Sequence, residues 1–445
     1  MAGGTLSDDV RQRQEQSARS PGKRVGVSVV VGSAVEWFDF YLYASMAALV
    51  FNKVFFPSGN AMAGTMASVA TFAVGFLARP VGGILFGALG DRIGRNRVLS
   101  LTFLLMGISS GCIGLLPGYA DIGIAAPVLL VVLRLLQGLG AGAEFGGAIA
   151  LAYEHADPAR RGRQGAWPAL GVNIGLLASS LTVTVLTSTS DGFLYGFGWR
   201  IPFLLSFALV GIGFWMRRRV PETPEFERAV REARRVRKRR SPLLELVRSD
   251  WRGLAVVMAV TAGYNGVSYV FKTFSLAYLT SFRDVAASVG SMGISIASAC
   301  AIVTAPLAGR LADRVGAKSL VITGAVATGL LAFPFFWLLD TGNHWLIWLD
   351  LTLATGIVVP LMLAAQGAFL AKQFPTRVRT SGLGTGREVS GALSGGLAPL
   401  AALGIVQAAP GHATWGVSLL FVAGALFIGV GAACDQSRRH GPDLN

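Results

Sequence analysis

The chain has 445 residues, 53% of them hydrophobic and 14% charged, where an ordinary soluble domain carries about 25% charged residues. That balance, with a positive mean hydropathy, excludes a water-soluble globular protein and places the chain in a bilayer. The net charge of +15 implies no nucleic-acid partner, because Lys and Arg gather in the segments between apolar runs and so orient a membrane chain.

A helix needs about 20 apolar residues to cross the hydrocarbon core. Twelve such runs lie near residues 27–50, 62–88, 98–117, 123–152, 165–187, 201–216, 253–281, 287–309, 317–339, 345–371, 382–408 and 413–433. The segments at alternate ends of these runs differ sharply in Lys and Arg content, and the positive-inside rule then puts both termini in the cytoplasm. Met1 to Lys23 is polar, carries no secretory signal and reads as a disordered tail. Cys112, Cys300 and Cys434 stand singly, without metal-ligand or disulfide spacing, and read as buried small hydrophobes. His155, His344, His412 and His440 fall at or near loops and read as solvated.

The first helix carries GSAVEWFDFYLYASM, with Glu36 and Asp39 near its middle. Charged groups at bilayer depth are costly and face the protein interior or a water-filled cavity. Positions 36, 39, 40 and 43 share one helical face. Two acids this close in a poorly solvated site repel, which suits a group that loads and unloads a proton; a static ion pair with an Arg on another helix is the alternative. The second helix places Arg79 at a depth similar to Asp39, so that Arg79 can pair with Glu36 or Asp39, and Pro80 beside it can kink the helix.

The second helix ends in GGILFGALGDRIGRNR, from Gly82 to Arg97, and a weaker copy, GRLADRVGAK, follows about half a chain later at Gly309 to Lys318. Each reads as a tight charged hairpin between two membrane helices, and the repeat marks two similar halves. Gly87 allows close approach of helix ends. Asp91 can accept hydrogen bonds from a neighbouring helix N-terminus or pair with an Arg.

In the fourth helix, Arg134 and Gln137 begin RLLQGLGAG, whose glycines permit close packing. Glu144 and Glu154 lie further along, where Arg92 and Arg95 are partners for a latch or for ordinary interfacial pairs. Asn173 in the fifth helix is either a cavity donor or a packing amide. Between Arg217 and Arg252 stand thirteen basic residues, which read as a linker lying on anionic lipid.

In the seventh helix, Asn265, Ser268, Tyr269 and Lys272 follow helical spacing and form one polar stripe ending in an intramembrane cation. Lys272 suits the carboxylate of an anionic substrate, with Tyr269 beside it, or it is a snorkelling or paired lysine. In the eleventh helix, Arg387 and Glu388 are adjacent among small residues and point about 100° apart. Arg387 can join Lys272 as an anion clamp, while Glu388 pairs with one of them or joins the proton path.

The ordered set EWFDFYLY, GFLARPVGGILFGALGDRIGRNR, GLLPGYADIGIAAP, LRLLQGLGAGAEFGG, RRG, GWRIPF and PETPEF, resuming in FPTRVRTSG and GGLAP, resembles the metabolite:proton symporter family of the major facilitator superfamily. Members move citrate, 2-oxoglutarate, shikimate, dicarboxylates or betaine-like osmolytes with protons. The aromatic and amide usual in the family stand replaced here by Arg387 and Glu388, which leaves the substrate open. The fifth helix lacks the Gly-Pro signature of drug antiporters.

The resemblance implies an all-α integral membrane protein of the major facilitator fold, twelve transmembrane helices in two pseudo-symmetric halves. The expected divisions are a tail at 1–26, helical halves at 27–216 and 253–433, a linker at 217–252 and a tail at 434–445. No enzyme is expected, and no cofactor or metal beyond the proton gradient. Expected proton-coupling residues are Glu36, Asp39 and Arg134. Expected substrate residues are Arg79, Asn265, Tyr269, Lys272, Arg387 and Glu388, and the gate is Gly87, Asp91, Arg92, Arg95, Glu144, Asp313 and Arg314. The partners are a small, anionic substrate, protons and the lipid bilayer, around a monomer in the cytoplasmic membrane. The function expected is uptake of an organic acid by symport. A zwitterionic osmolyte is the alternative, disfavoured by the short segment after the last helix, and export of a polar metabolite is another.

Overall fold

The computed structural model describes residues 5–57, 61–93, 95–142, 144, 161–217, 248, 250–374 and 379–436. The side chains of Gly87, Asp91, Arg92 and Arg95, together with Glu154, His155, His440 and most of the basic linker, lie outside the described residues. In lipid every backbone N–H and C=O must be satisfied within the segment, so long apolar runs have helix as their solution.

The first half holds α1 (Thr5–Leu49), α2 (Ala61–Ile93), α3 (Arg95–Leu115), α4 (Ala125–Ala141), α5 (Arg161–Thr187) and α6 (Arg200–Arg217). The second half holds α7 (Trp251–Phe282), α8 (Ala287–Val315), α9 (Ala317–Leu331), α10 (His344–Ala371), α11 (Arg379–Ser394) with its continuation Leu397–Ala408, and α12 (Trp415–Ala433). Helix α1 starts at Thr5, so the polar segment expected to be disordered is helical there. Large apolar side chains such as Ile84, Val303, Leu330 and Leu426 are exposed, as lipid-facing groups are, whereas the charged side chains at mid-depth point inward.

Three helices depart from the single runs expected. The ninth run breaks before Pro334 into α9 and a short helix, Pro334–Leu339, because proline cannot continue the ladder. In α7 and α10 the α-helical ladder gives way to π turns at Val270–Phe274 and Thr352–Val358.

The two hairpins are as tight as the sequence implies. Helix α8 ends at Val315 and α9 starts at Ala317, and Gly316 between them has φ +88°, a conformation that glycine adopts without a Cβ penalty. Within the first half, α2 and α4 cross at backbone contact. A Cβ on Gly82 would run into the carbonyl of Leu139, on Gly138 into that of Gly75 and on Gly142 into that of Arg79. The halves meet through α2 with α11 and through α5 with α8. Exchanging each helix with the one six places on maps the first pair onto the second, which is the pseudo-symmetry of the fold.

Candidate functional site

Between the halves lies a small cavity that in this closed arrangement has room for little more than a water molecule, far below the usual range of small-molecule sites. Its wall is Trp37 and Tyr41 from α1, Val172 from α5, Tyr264, Asn265, Ser268 and Tyr269 from α7, Leu363 from α10 and Arg387 from α11. Trp37 and Tyr41 are one helical turn apart, as are Tyr264 and Ser268, so each helix offers a single face. Arg387 donates to the Gln366 Oε1 at 3.1 Å. The Tyr269 ring packs edge-on against Phe72 and Phe76, with centroids 5.5 and 5.0 Å away. Its buried hydroxyl has no hydrogen-bond partner among the described residues.

Beside the cavity one guanidinium ties the halves together. Arg79 Nε donates to Glu388 Oε2 across the interface at 2.7 Å, and its Nη2 reaches Glu36 Oε1 at 3.4 Å. All three side chains are buried. The rings of Phe40, Phe76 and Trp37 stand 4.9, 5.6 and 5.8 Å from the guanidinium carbon. Buried charges persist only when paired, and two carboxylates around one arginine meet that requirement.

Asp39 belongs to a separate cluster inside the first half. Ser206 Oγ of α6 donates to Asp39 Oδ1 at 2.5 Å, and Ser110 of α3 stands beside it. Ser110 in turn accepts from Gln137 Nε2 at 2.6 Å, and Gln137 Oε1 accepts from Arg134 at 2.5 Å. Arg134 is enclosed by aromatic faces, its guanidinium carbon 4.0 Å from the Tyr43 centroid and 4.5 Å from that of Phe40. Gly75 leaves room for it, since a Cβ there would lie 2.5 Å from Arg134 Nε. The acids that sequence periodicity places on one face therefore have different partners: Glu36 meets Arg79, and Asp39 meets serines.

Lys272 is buried and donates to Tyr41 Oη at 3.0 Å. It stands behind the cavity wall, whereas Asn265, Ser268 and Tyr269 are part of it. The π turn at Val270–Phe274 explains the separation. An inserted residue shifts the helical phase, so i+7 spacing across it does not keep one face. Arg387 and Lys272 thus reach the cavity differently, one directly and the other through Tyr41. Glu388 bonds Arg79, a partner more than three hundred positions away.

At the end of the bundle that carries the hairpins, Asp313 Oδ1 accepts from Gly162 N at 2.7 Å and its Oδ2 from Arg163 N at 3.1 Å. These are unsatisfied N–H groups at the start of α5, so a carboxylate of the second half caps a helix of the first. A Cβ on Gly309 would lie 2.8 Å from the Ala166 Cβ, so glycine lets α8 come this close. Arg314 is exposed, and Glu144 is buried past the end of α4.

Trp37, Tyr41 and Tyr264 of the wall, Ser110 and Ser206 around Asp39 and Gln366 beside Arg387 are not singled out by sequence reasoning. Tyr41 carried a signal, one turn after Trp37. The serines carried none, because single hydroxyls in apolar helices are common and only the fold brings them to Asp39.

A twelve-helix bundle in two related halves, with polar groups and a cavity at the midplane between them, is the architecture of a secondary transporter. The chain belongs to the Major Facilitator Superfamily, whose family model matches residues 29–399. It is similar to the shikimate transporter of Escherichia coli strain K12, at 35% identity over 92% of this chain and 93% of that protein. It is also similar to the glycine betaine/proline/ectoine/pipecolic acid transporter OusA of Dickeya dadantii, at 33% identity over 91% of this chain and 79% of that one. Among solved structures, the proton:xylose symporter XylE shares the fold at a TM-score of 0.72 and 16% identity, over 93% of this chain and 95% of that one. The chain is accordingly a multi-pass membrane carrier of the metabolite:proton symporter type and not an enzyme.

Proposed function

We propose that this carrier takes up a small organic acid with a proton across the cytoplasmic membrane by alternating access. The observation that carries the reading is the cavity wall, in which Arg387 is the charged residue among aromatic, hydroxyl and amide groups. Arg79 is already shared by Glu36 and Glu388, so a substrate with one carboxylate matches the charge on offer better than a di- or tricarboxylate. Tyr264, Asn265, Ser268 and Tyr269 suit ring hydroxyls, and the likeness to a shikimate transporter supports an acid of that kind.

In this reading Glu36 and Asp39 take up the transported proton, with Arg134 adjusting the second. Protonation of Glu36 loosens its hold on Arg79 and so changes the tie to Glu388. Lys272 fixes Tyr41 against the substrate. The hairpins at Gly87, Asp91, Arg92 and Arg95 and at Asp313 and Arg314, with Glu144, govern opening toward the cytoplasm. The halves are 27–216 and 253–433, the linker 217–252 lies on the inner membrane surface, the tails 1–26 and 434–445 are cytoplasmic, and the unit is a monomer.

A zwitterionic osmolyte is the second reading. Trp37, Tyr41, Tyr264 and Tyr269 give the cavity four aromatic faces, which suit a quaternary ammonium, and OusA is a relative. Uptake into liposomes under an inward proton gradient separates the two, with radiolabelled shikimate and glycine betaine as probes. Accumulation of shikimate, lost in Arg387→Gln and lowered at least tenfold in affinity in Lys272→Met, is expected. Accumulation of betaine alone moves the assignment to the osmolyte, and accumulation of neither overturns uptake of both classes.

A further inference from the structure

Asp350 is an acid that the transport scheme above does not use. It lies in the first part of α10, fully buried, and neither carboxyl oxygen has a hydrogen-bond partner among the described residues. An ionisable side chain inside a membrane helix is costly and marks a functional group by default. An ionised carboxylate without a donor is the more expensive form, because burial removes water and nothing replaces it.

The charged groups on the packed elements are paired elsewhere or exposed at the far end. On α7, Lys272 bonds Tyr41, and Tyr278 donates to Asp340, which also holds Arg283. On α8, Cys300 lies by Thr304, Asp313 caps α5, and Arg310 and Arg314 are exposed at the far end. On α9, Lys318 stands 3.9 Å from Asp435, and His344 of α10 itself lies against Trp348. Among the described residues, therefore, no cation compensates Asp350.

Its position in the helix supplies the second observation. The π turn Thr352–Val358 begins two residues after Asp350 and touches the π turn of α7 that carries Lys272. A π turn marks a place where helical phase is adjustable, and such turns occur frequently at functional sites. On the other side of Asp350, Trp348 Nε1 donates to Val289 O at 3.0 Å, and Leu351 fills the space above Gly293. The segment before the π turn is thus held to α8 by its neighbours, and the turn itself lies against α8 at Gly356, next to the Ala297 carbonyl, while also touching the midplane turn of α7.

We infer that Asp350 is a further proton-binding site: its carboxyl holds a proton in this closed arrangement and releases it to water when the π turn of α10 re-registers during rocking. The O–H bond breaks, the electron pair stays on the carboxylate and the proton leaves as hydronium, so no further reactant is needed. This rests on the reading of the chain as a proton-coupled carrier, but not on the identity of its substrate.

The test is infrared difference spectroscopy on the full chain in liposomes, without substrate, across a pH titration. Wild type is expected to show a protonated-carboxyl band at neutral pH that Asp350→Asn removes. The band is also expected to be lost at lower pH in Glu388→Gln, where the halves part more readily. A band absent at neutral pH, or unchanged by Asp350→Asn, overturns the assignment. So does a band insensitive to pH and to Glu388→Gln, because it belongs to a permanently neutral acid. Should Asp350→Asn not accumulate in membranes, Asp350→Glu takes its place, and a carboxyl band whose frequency does not move in that variant overturns the assignment. In transport, Asp350→Asn is expected to lower the charge moved per substrate by one elementary charge, and an unchanged ratio also overturns the proposal.

Discussion

Replacing Glu388 by Gln removes the carboxylate through which Arg79 binds the second half. Arg79 keeps Glu36 at 3.4 Å but loses the shorter contact at 2.7 Å. Opposite charges about 4 Å apart at an effective dielectric constant of about 20 attract by about 4 kcal/mol. Breaking a buried pair outright costs roughly 3–5 kcal/mol. Two corrections lower the figure here: Glu36 still compensates the guanidinium, and the amide introduced in place of Glu388 has no charge to desolvate. The closed arrangement should therefore lose about 2–4 kcal/mol relative to a state in which the halves separate, and at about 1.4 kcal/mol per decade the open population rises roughly 30- to 700-fold.

The assay is thiol labelling in the cavity. Cys112, Cys300 and Cys434 are free cysteines, so they are changed to Ser and a single cysteine is placed at Ser268 in the cavity wall. Membrane-impermeant maleimide is then applied to right-side-out and inverted vesicles. Glu388→Gln is expected to speed labelling from at least one face by about ten-fold or more, and Glu388→Asp by less. Equal rates from both faces in wild type and Glu388→Gln would refute the view that this ion pair holds the halves together.

Two further perturbations test the packing around this tie. Asp313→Asn replaces the charge-assisted acceptor of the Gly162 and Arg163 amides with a neutral one, worth about 1 kcal/mol at a helix N-terminus; labelling at the same cavity position is expected to rise about fivefold, and only from the hairpin face, so a rise from the opposite face counts against the latch. Gly142→Ala puts a Cβ into the Arg79 carbonyl, forcing α2 and α4 apart at about 1–3 kcal/mol; the detergent-solubilised protein should unfold several degrees lower, and an unchanged transition would mean that the two backbones are not in contact.

Much of this bundle was legible because lipid simplifies the problem. With every spanning segment required to be a helix, hydropathy alone locates the elements, and the run expected at 253–281 is observed as Trp251–Phe282. The hairpins were legible for a similar reason: Gly, Asp and Arg at fixed spacing between two apolar runs leave few conformations. The pairing of Arg79 with Glu36 was open from depth alone, because both sit at mid-helix on sequential elements. Depth also left Asp39 open as a partner, and only the rotation of α1 against α6 and α2 decides between them.

What stayed hidden has a common origin in phase and distance. Helical spacing assumes 3.6 residues per turn, and the π turn of α7 breaks that assumption between Tyr269 and Lys272, moving the lysine behind the wall it was expected to line. Asp350 was passed over because one acid in an apolar run carries no periodic signal, and the π turn that gives its position meaning is not written in local composition. The adjacency of Arg387 and Glu388 shows the opposite case. Residues about 100° apart on a helix must serve different neighbours, so one faces the cavity and Gln366 while the other crosses to Arg79. That division follows from helix geometry alone, and it places the cation of the cavity wall and the ion pair joining the halves on consecutive residues of one rigid element, where a displacement of either is transmitted to the other.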